Sequence, residues 1–213
     1  MDYFLEIAPA LLSGLVMTLK IFFFTMIGSL PLGILVSFGL RSKVTPLHFL
    51  LNIYVWLMRG TPLLLQLIFV FYGLPMVGVT FDRYEAALFA FILNYAAYFA
   101  EIFRGGIQSI PTGQYEAAKV LRLSKIQTIQ KVIFPQVFKV VLPSIGNEVV
   151  NLVKDSSLIY VIGLGDLLQA GKIAMSRDVT LLPMVAVGVI YLILIGLLTL
   201  LAKKIESYYS YYR

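Results

Sequence analysis

The chain has 213 residues, 60% of them hydrophobic and 13% charged, with 17 Lys and Arg against 11 Asp and Glu for a net charge of +6. A soluble domain of this length would need far more charge to cover its surface, so the composition is that of a membrane protein. There is no cysteine, which excludes a disulfide framework, thiolate catalysis and a thiolate metal site.

The opening stretch, MDYFLEIAPALLSGLVMTLK, carries Asp2 and Glu6 where a secretory signal needs positive charge, and it runs directly into a longer apolar segment. It is read as a short amphipathic lead-in that stays on the chain. Five runs are long and apolar enough to cross a bilayer, which takes about 20 residues. The first covers about 15–40, with Lys20 able to snorkel outward, and ends at Arg41 and Lys43. The second, about 47–77, is interrupted by Arg59-Gly60-Thr61-Pro62. His48, beside Pro46, is read as an interfacial residue, since a lone histidine makes a weak case for metal or acid–base chemistry. The third run, about 84–103, ends in Arg104, Gly105 and Gly106, the fourth covers about 139–164, and the fifth, about 181–202, ends in Lys203 and Lys204. The chain is thus expected to be a single all-α transmembrane domain over 1–213, with one long loop at about 104–138.

Within that loop, Tyr115–Gln136 is basic, helix-prone and too polar for lipid. Glu116, Ala117, Ala118, Leu121 and Ile126 suit a short amphipathic helix. Ser124 suits the N-cap of a second, because its hydroxyl can accept an orphan backbone N–H. Pro135 is expected to break the chain's helical path, having no N–H and a ring that clashes in a helix interior. Two short helices joined by a turn suit a docking handle for a soluble partner, and equally a basic loop that adheres to anionic headgroups.

The distribution of Lys and Arg sets the expected orientation. With the N-terminus outside, Arg41, Lys43, Arg104, Lys119, Arg122, Lys125, Lys131, Lys139, Lys203, Lys204 and Arg213 face the cytoplasm, leaving Arg83, Lys172 and Arg177 outside. The opposite orientation would translocate the whole basic set. An N-out, C-in chain places the handle in the cytoplasm.

Polar groups inside the membrane are costly and mark function. On a helix, Ser144, Asn147, Glu148, Asn151, Lys154 and Asp155 of the fourth run fall within about one third of the circumference at ~100° per residue. A smaller stripe on the third run holds Asn94, Tyr98 and Glu101. Such stripes face a bundle interior or a water-filled path; a lone Asn or Ser would suit helix–helix hydrogen bonding as well. No Walker lysine loop, HExxH or GxSxG is present, and no nucleophile–base set supports a membrane-embedded enzyme. A stand-alone ion-coupled carrier or channel could use Glu101, Glu148 and Asp155 as relay groups. It would not need a docking handle, and no internal repeat of the kind common in secondary transporters is evident.

The handle resembles the EAA loop of bacterial ABC importer permeases, with Glu116, Ala117, Ala118 and Pro135 at matching positions and Val132 and Phe134 as apolar equivalents. Arg122 stands where that family usually has a glycine between the two short helices. Arg59-Gly60-Thr61-Pro62-Leu63 with Gln66 is similar to the RGTPLLVQ stretch of the polar amino acid permeases, and Ala100–Ile107 to their AEIFRGGI stretch. Leu142-Pro143, Asn147-Glu148 and Lys154-Asp155-Ser156-Ser157-Leu158 resemble their LPxxxNE and KDTSL run, with Ser156 in place of Thr. The four blocks occur in order over nearly the whole chain.

This resemblance implies the five-helix fold of a type I ABC importer permease. Two such subunits, identical or paralogous, would form the channel, each docked on a cytoplasmic ATPase dimer through Glu116, Ala117, Ala118, Arg122 and Pro135. ATP and Mg would sit on the ATPase, and this chain would be neither an enzyme nor the carrier of a cofactor, nor would it bind nucleic acid. An extracytoplasmic solute-binding protein would deliver an amino acid. Glu148 and Asp155 could accept from its ammonium group and Lys154, Asn147 and Asn151 could donate to its carboxylate. The stripe's formal charge of −1 favours a neutral polar or cationic amino acid over an acidic one.

Overall fold

A computed structural model describes residues 2–209, and Arg213 of the basic set lies outside them. The described residues are all-helical apart from turns, with no strand. Helix α1 spans Asp2–Gly39 without a break at Leu15, so the lead-in and the first apolar run are one rod. At ~1.5 Å per residue its 38 residues extend about 57 Å, nearly twice a bilayer's hydrocarbon thickness.

Helix α4, Arg83–Gln108, is the hub. Its start is set by a capping box in which Asp82 and Glu85 exchange side-chain and backbone hydrogen bonds. Phe91, Tyr95 and Phe99 lie fully in the core with Ile21 of α1. α1 lies along α4 at close range because small residues face each other there. Ala96, Ala97 and Ala100 are fully buried, and a Cβ on Gly33 would come 2.6 Å from the Cβ of Phe99 and 2.9 Å from the Ala96 carbonyl oxygen. Without a hydrophobic drive between helices in lipid, such close backbone approach is what holds them.

The second apolar run is two pieces. Helix α2, Thr45–Gly60, and helix α3, Leu63–Ile68, meet at Thr61-Pro62, and the axis turns by 107°. Pro62 forces Thr61 into extended backbone, φ −122° and ψ 148°. The carbonyls freed by the break find side-chain donors. Thr61 Oγ1 donates to Leu57 O at 2.8 Å. Gln66 Nε2 and Asn94 Nδ2 both donate to Met58 O, at 2.9 and 3.0 Å. Gln66 Oε1 in turn accepts from Asn94 at 3.0 Å. A broken helix is tolerated in a membrane where neighbouring groups restore its hydrogen bonds in this way. A π-helical turn, Phe69–Gly73, and a 3-10 turn, Leu74–Val77, complete this limb.

Helix α5, Thr112–Val120, and helix α6, Lys125–Thr128, form the handle. Between them Arg122 N–H donates to Lys119 O and Leu123 N–H to Ala118 O, both at 3.0 Å, the two bonds of a Schellman turn. Arg122 itself takes the left-handed backbone that glycine favours there, φ 54°. Ser124 caps α6 as expected, and Gln127 returns the bond to the Ser124 N–H.

Pro135 does not break the path. The helical axis runs on from Lys125 to Ile162. A π-helical turn, Ile129–Ile133, precedes helix α7, Phe134–Asp155, and Phe134 N–H bonds five residues back to Ile129 O. This wide turn shifts the bonding register just ahead of Pro135, so the missing N–H falls where regular i−4 bonding has already been given up. A 3-10 segment, Ser156–Ile162, extends α7 to Gly163, and buried Asp166 then caps helix α8, Leu167–Asp178, through the N–H groups of Leu168 and Gln169. Helix α9, Leu182–Tyr208, packs on α7 and α8 and leaves a long apolar face exposed.

Among the described residues three helices are long and apolar enough to cross a membrane, α1, α4 and α9, and the number reaches five if the bent α2–α3 limb and the α7–α8 limb, bent by 56°, are each one span.

Candidate functional site

A cavity of about 500 Å³ opens where the α2–α3 break, the middle of α4 and the end of α7 meet. Thr61, Pro62, Leu63 and Leu64 form one wall, Asn94, Tyr95 and Tyr98 a second, and Glu148, Asn151, Lys154, Asp155 and Leu158 the third. Glu148, Asn151 and Asp155 recur at i, i+3 and i+7, one face of a helix. Across from them Tyr95 donates its phenolic hydrogen to Asp155 Oδ2 at 2.7 Å. The cavity thus holds two carboxylates, one ammonium, two carboxamides and two phenols, for a formal charge of −1 from the ionised groups. The α7 helix ends beneath them because Ser156 and Ser157 hydroxyls donate to the Val153 and Lys154 carbonyls, each at 2.7 Å, as the bonding tightens to 3-10.

Six of the eight pathway residues expected from sequence border this cavity: Asn94, Tyr98, Glu148, Asn151, Lys154 and Asp155. Asn94 is only 4% exposed and spends its amide nitrogen on Met58 and Gln66, so it holds the break as well as lining the wall. Asn147 and Ser144 are exposed and do not border it.

Glu101 lies elsewhere. It borders a second cavity of about 580 Å³ with His48, Asn52, Trp56, Arg59, Arg104 and Gln108. Arg104 grips its carboxylate with two hydrogen bonds, Nη2 at 2.6 Å and Nε at 2.8 Å. Arg59 Nη1 stands 3.6 Å from it. The Arg59 guanidinium also lies over the Tyr98 ring, 5.3 Å from its centroid. Tyr98 therefore faces the first cavity while the cation on its ring faces the second. Glu101, Glu148 and Asp155 are not gathered into one cavity, as a relay would need. His48 Nδ1 lies 2.7 Å from Leu40 O, joining α2 to the end of α1. Among the described residues no group of three or more His, Asp or Glu could hold a metal ion.

Two features escaped the reading of the sequence. Tyr95 lies off the Asn94–Tyr98–Glu101 line, so nothing in that spacing singled it out. The bonding role of Gln66 was legible in principle, because it is the one amide between Thr61 and Val77 and polar groups there need partners.

On the handle, Glu116 and Ala117 are exposed, Ala118 is buried at 2%, and Arg122 is exposed at the turn. Pro135 is half-buried at the start of α7. The handle therefore offers Glu116 and Ala117 to solvent and turns Ala118 inward.

Residues 29–209 match the family of binding-protein-dependent transport system inner membrane components, and the chain belongs to that family. It is 40% identical over 200 residues to the arginine transport system permease protein ArtQ of Bacillus subtilis (strain 168), covering 93% of this chain and 91% of that protein. It is 36% identical over 200 residues to the L-cystine transport system permease protein TcyB of the same organism, covering 93% and 86%. Among solved structures, a chain of an amino acid ABC transporter with histidines superposes with a TM-score of 0.89 at 32% identity, covering 96% of each chain.

Proposed function

We propose that this chain is the permease subunit of an ATP-driven importer for a neutral polar or cationic L-amino acid. The observation that carries this reading is the cavity between the α2–α3 break, α4 and α7. Its carboxylates Glu148 and Asp155 suit the ammonium of a zwitterion, and Lys154 and Asn151 suit its carboxylate. A net charge of −1 in the wall disfavours an acidic side chain. The relatives named for arginine and L-cystine fit the same class.

In this proposal the chain spans the cytoplasmic membrane of a bacterium five times, N-out and C-in, with the handle in the cytoplasm. The basic residues at the ends of the apolar runs support that orientation. A cytoplasmic ATPase dimer binds ATP and Mg and docks on the handle. Glu116 makes the charged contact, the small Ala117 admits a close approach, and Ala118 and Arg122 hold the two helices in register. A second copy or a paralogue completes the channel, and an extracytoplasmic solute-binding protein delivers the amino acid. Because α6 and α7 share one axis through the π turn ahead of Pro135, movement of the handle is carried directly to Glu148 and Asp155.

The test is ligand-stimulated ATP hydrolysis by the reconstituted complex, scanned across amino acids. Stimulation by arginine, histidine, glutamine or cystine but not glutamate, lost in Glu148→Gln, is the expected outcome. Stimulation by glutamate, or a Glu148→Gln complex that responds normally, would overturn the assignment of the cavity.

A further inference from the structure

We infer that a third cavity, between the end of α1 and the handle, is a binding site for one anionic phospholipid. It encloses about 590 Å³, within the ~300–1,000 Å³ range of small-molecule sites. Its walls are apolar: Ile34 and Phe38 from α1, Phe103 and Ile107 from α4, and Ile129 and Phe134 from the π turn and the start of α7. The Ser37 hydroxyl, which also faces it, is already bonded to Ile34 O at 2.7 Å and offers no free donor. The Tyr115 phenol and two cations, Arg41 and Lys125, also line it, and no carboxylate does. Neither cation forms an ion pair among the described residues, unlike Arg59, Arg104 and Arg177.

An occupant must therefore pair a long apolar part with an anionic head. A free phosphate leaves the apolar walls unfilled. A neutral lipid leaves both cations uncompensated. Position favours the lipid as well. Arg41 lies two residues past the end of α1, where its apolar run gives way to a polar turn, which suits cations at headgroup level and walls at acyl-chain level. Basic pockets between membrane helices hold anionic headgroups by this division of labour. A lipid seated there touches α1 on one side and α6 and the π turn on the other. It tethers the handle to the membrane-spanning body.

The inference does not depend on which amino acid is moved, nor on which side of the membrane the handle faces. Its test uses the assembled transporter, purified in mild detergent and exposed to phosphatidylglycerol or phosphatidylcholine of identical acyl chains. Native mass spectrometry then counts retained lipid. Retention of one phosphatidylglycerol per permease chain, with phosphatidylcholine washed away, is expected. Arg41→Gln and Lys125→Gln should each lower retention about fivefold. Ile129→Trp, which fills the cavity and leaves the charges, should abolish it and serves if a charge variant does not assemble. Glycerol phosphate in excess should not displace the lipid. Equal retention of the two lipids, retention that survives Ile129→Trp, or displacement by glycerol phosphate would each overturn the site. Failure here leaves ligand-stimulated ATP hydrolysis untouched, so the two readings fall separately.

Discussion

Tyr95 on α4 and Asp155 on α7 are joined across the cavity by a 2.7 Å hydrogen bond from the phenol to the carboxylate. The bond holds one oxygen of Asp155, a residue that borders the cavity. Tyr95→Phe keeps the ring in the core and removes only the donor. Hydrogen bonds to charged groups are worth about 1.5–3 kcal/mol, so the variant should bind substrate at least about tenfold more weakly. The readout is the half-saturating amino acid concentration for stimulated ATP hydrolysis. An unchanged value would show that Asp155 needs no positioning by Tyr95.

Arg122 sits at φ 54° in a Schellman turn. A residue with a Cβ pays about 1–2 kcal/mol for left-handed backbone, and glycine pays almost nothing. Arg122→Gly should therefore stabilise the handle, seen as slower proteolysis within 112–124, with transport retained. Arg122→Val should do the opposite, since a β-branched side chain fits this conformation worst. Equal proteolysis of the two variants would contradict the strain argument.

Glu101 is held by Arg104 and approached by Arg59. If this is a clamp rather than a proton relay, its charge can be reversed as a pair. Glu101→Arg and Arg104→Glu should each destabilise the protein, and the double variant should recover. A coupling of about 1 kcal/mol is expected for this partly exposed pair, measured by thermal unfolding in detergent. Loss of uptake in the double variant with stability restored would return Glu101 to the relay candidates.

Gly33 lets α1 touch α4. A Cβ there meets Phe99 Cβ at 2.6 Å and the Ala96 carbonyl oxygen at 2.9 Å, and neither is the far end of a flexible chain. Gly33→Ala should cost about 1–3 kcal/mol by overpacking. Gly188 of α9 meets nothing within 4 Å, so Gly188→Ala should gain about 0.5–1 kcal/mol from helix propensity alone. Thermal unfolding of both variants gives the comparison, and a neutral Gly33→Ala would mean the helices separate freely.

The apolar runs, the Thr61-Pro62 interruption and the Ser124 cap were legible in the sequence because each depends on local chemistry. The face carrying Glu148, Asn151 and Asp155 was legible too, as helical spacing alone decides it. What escaped depends on contacts between distant segments. The Asn94–Tyr98–Glu101 spacing suggested one polar surface, but Arg59 arrives from another helix and lies between Tyr98 and Glu101. Pro135 read locally is a breaker, and only the π turn ahead of it lets the helix continue. The continuity of α1 through Leu15 was hidden by a change in polarity that the backbone ignores. Asp166 caps α8 from full burial, a role that needed the α8 start to be known first.

In the proposed function the exposed handle couples this chain to a separate ATPase. Co-purification from native membranes in mild detergent, with mass spectrometry of the retained proteins, tests it most directly. A nucleotide-binding subunit bearing a Walker lysine loop should be present with the natural chain and lost with Glu116→Arg while membrane insertion is unchanged. A chain that purifies without such a subunit, yet moves amino acid into vesicles without ATP, would contradict it.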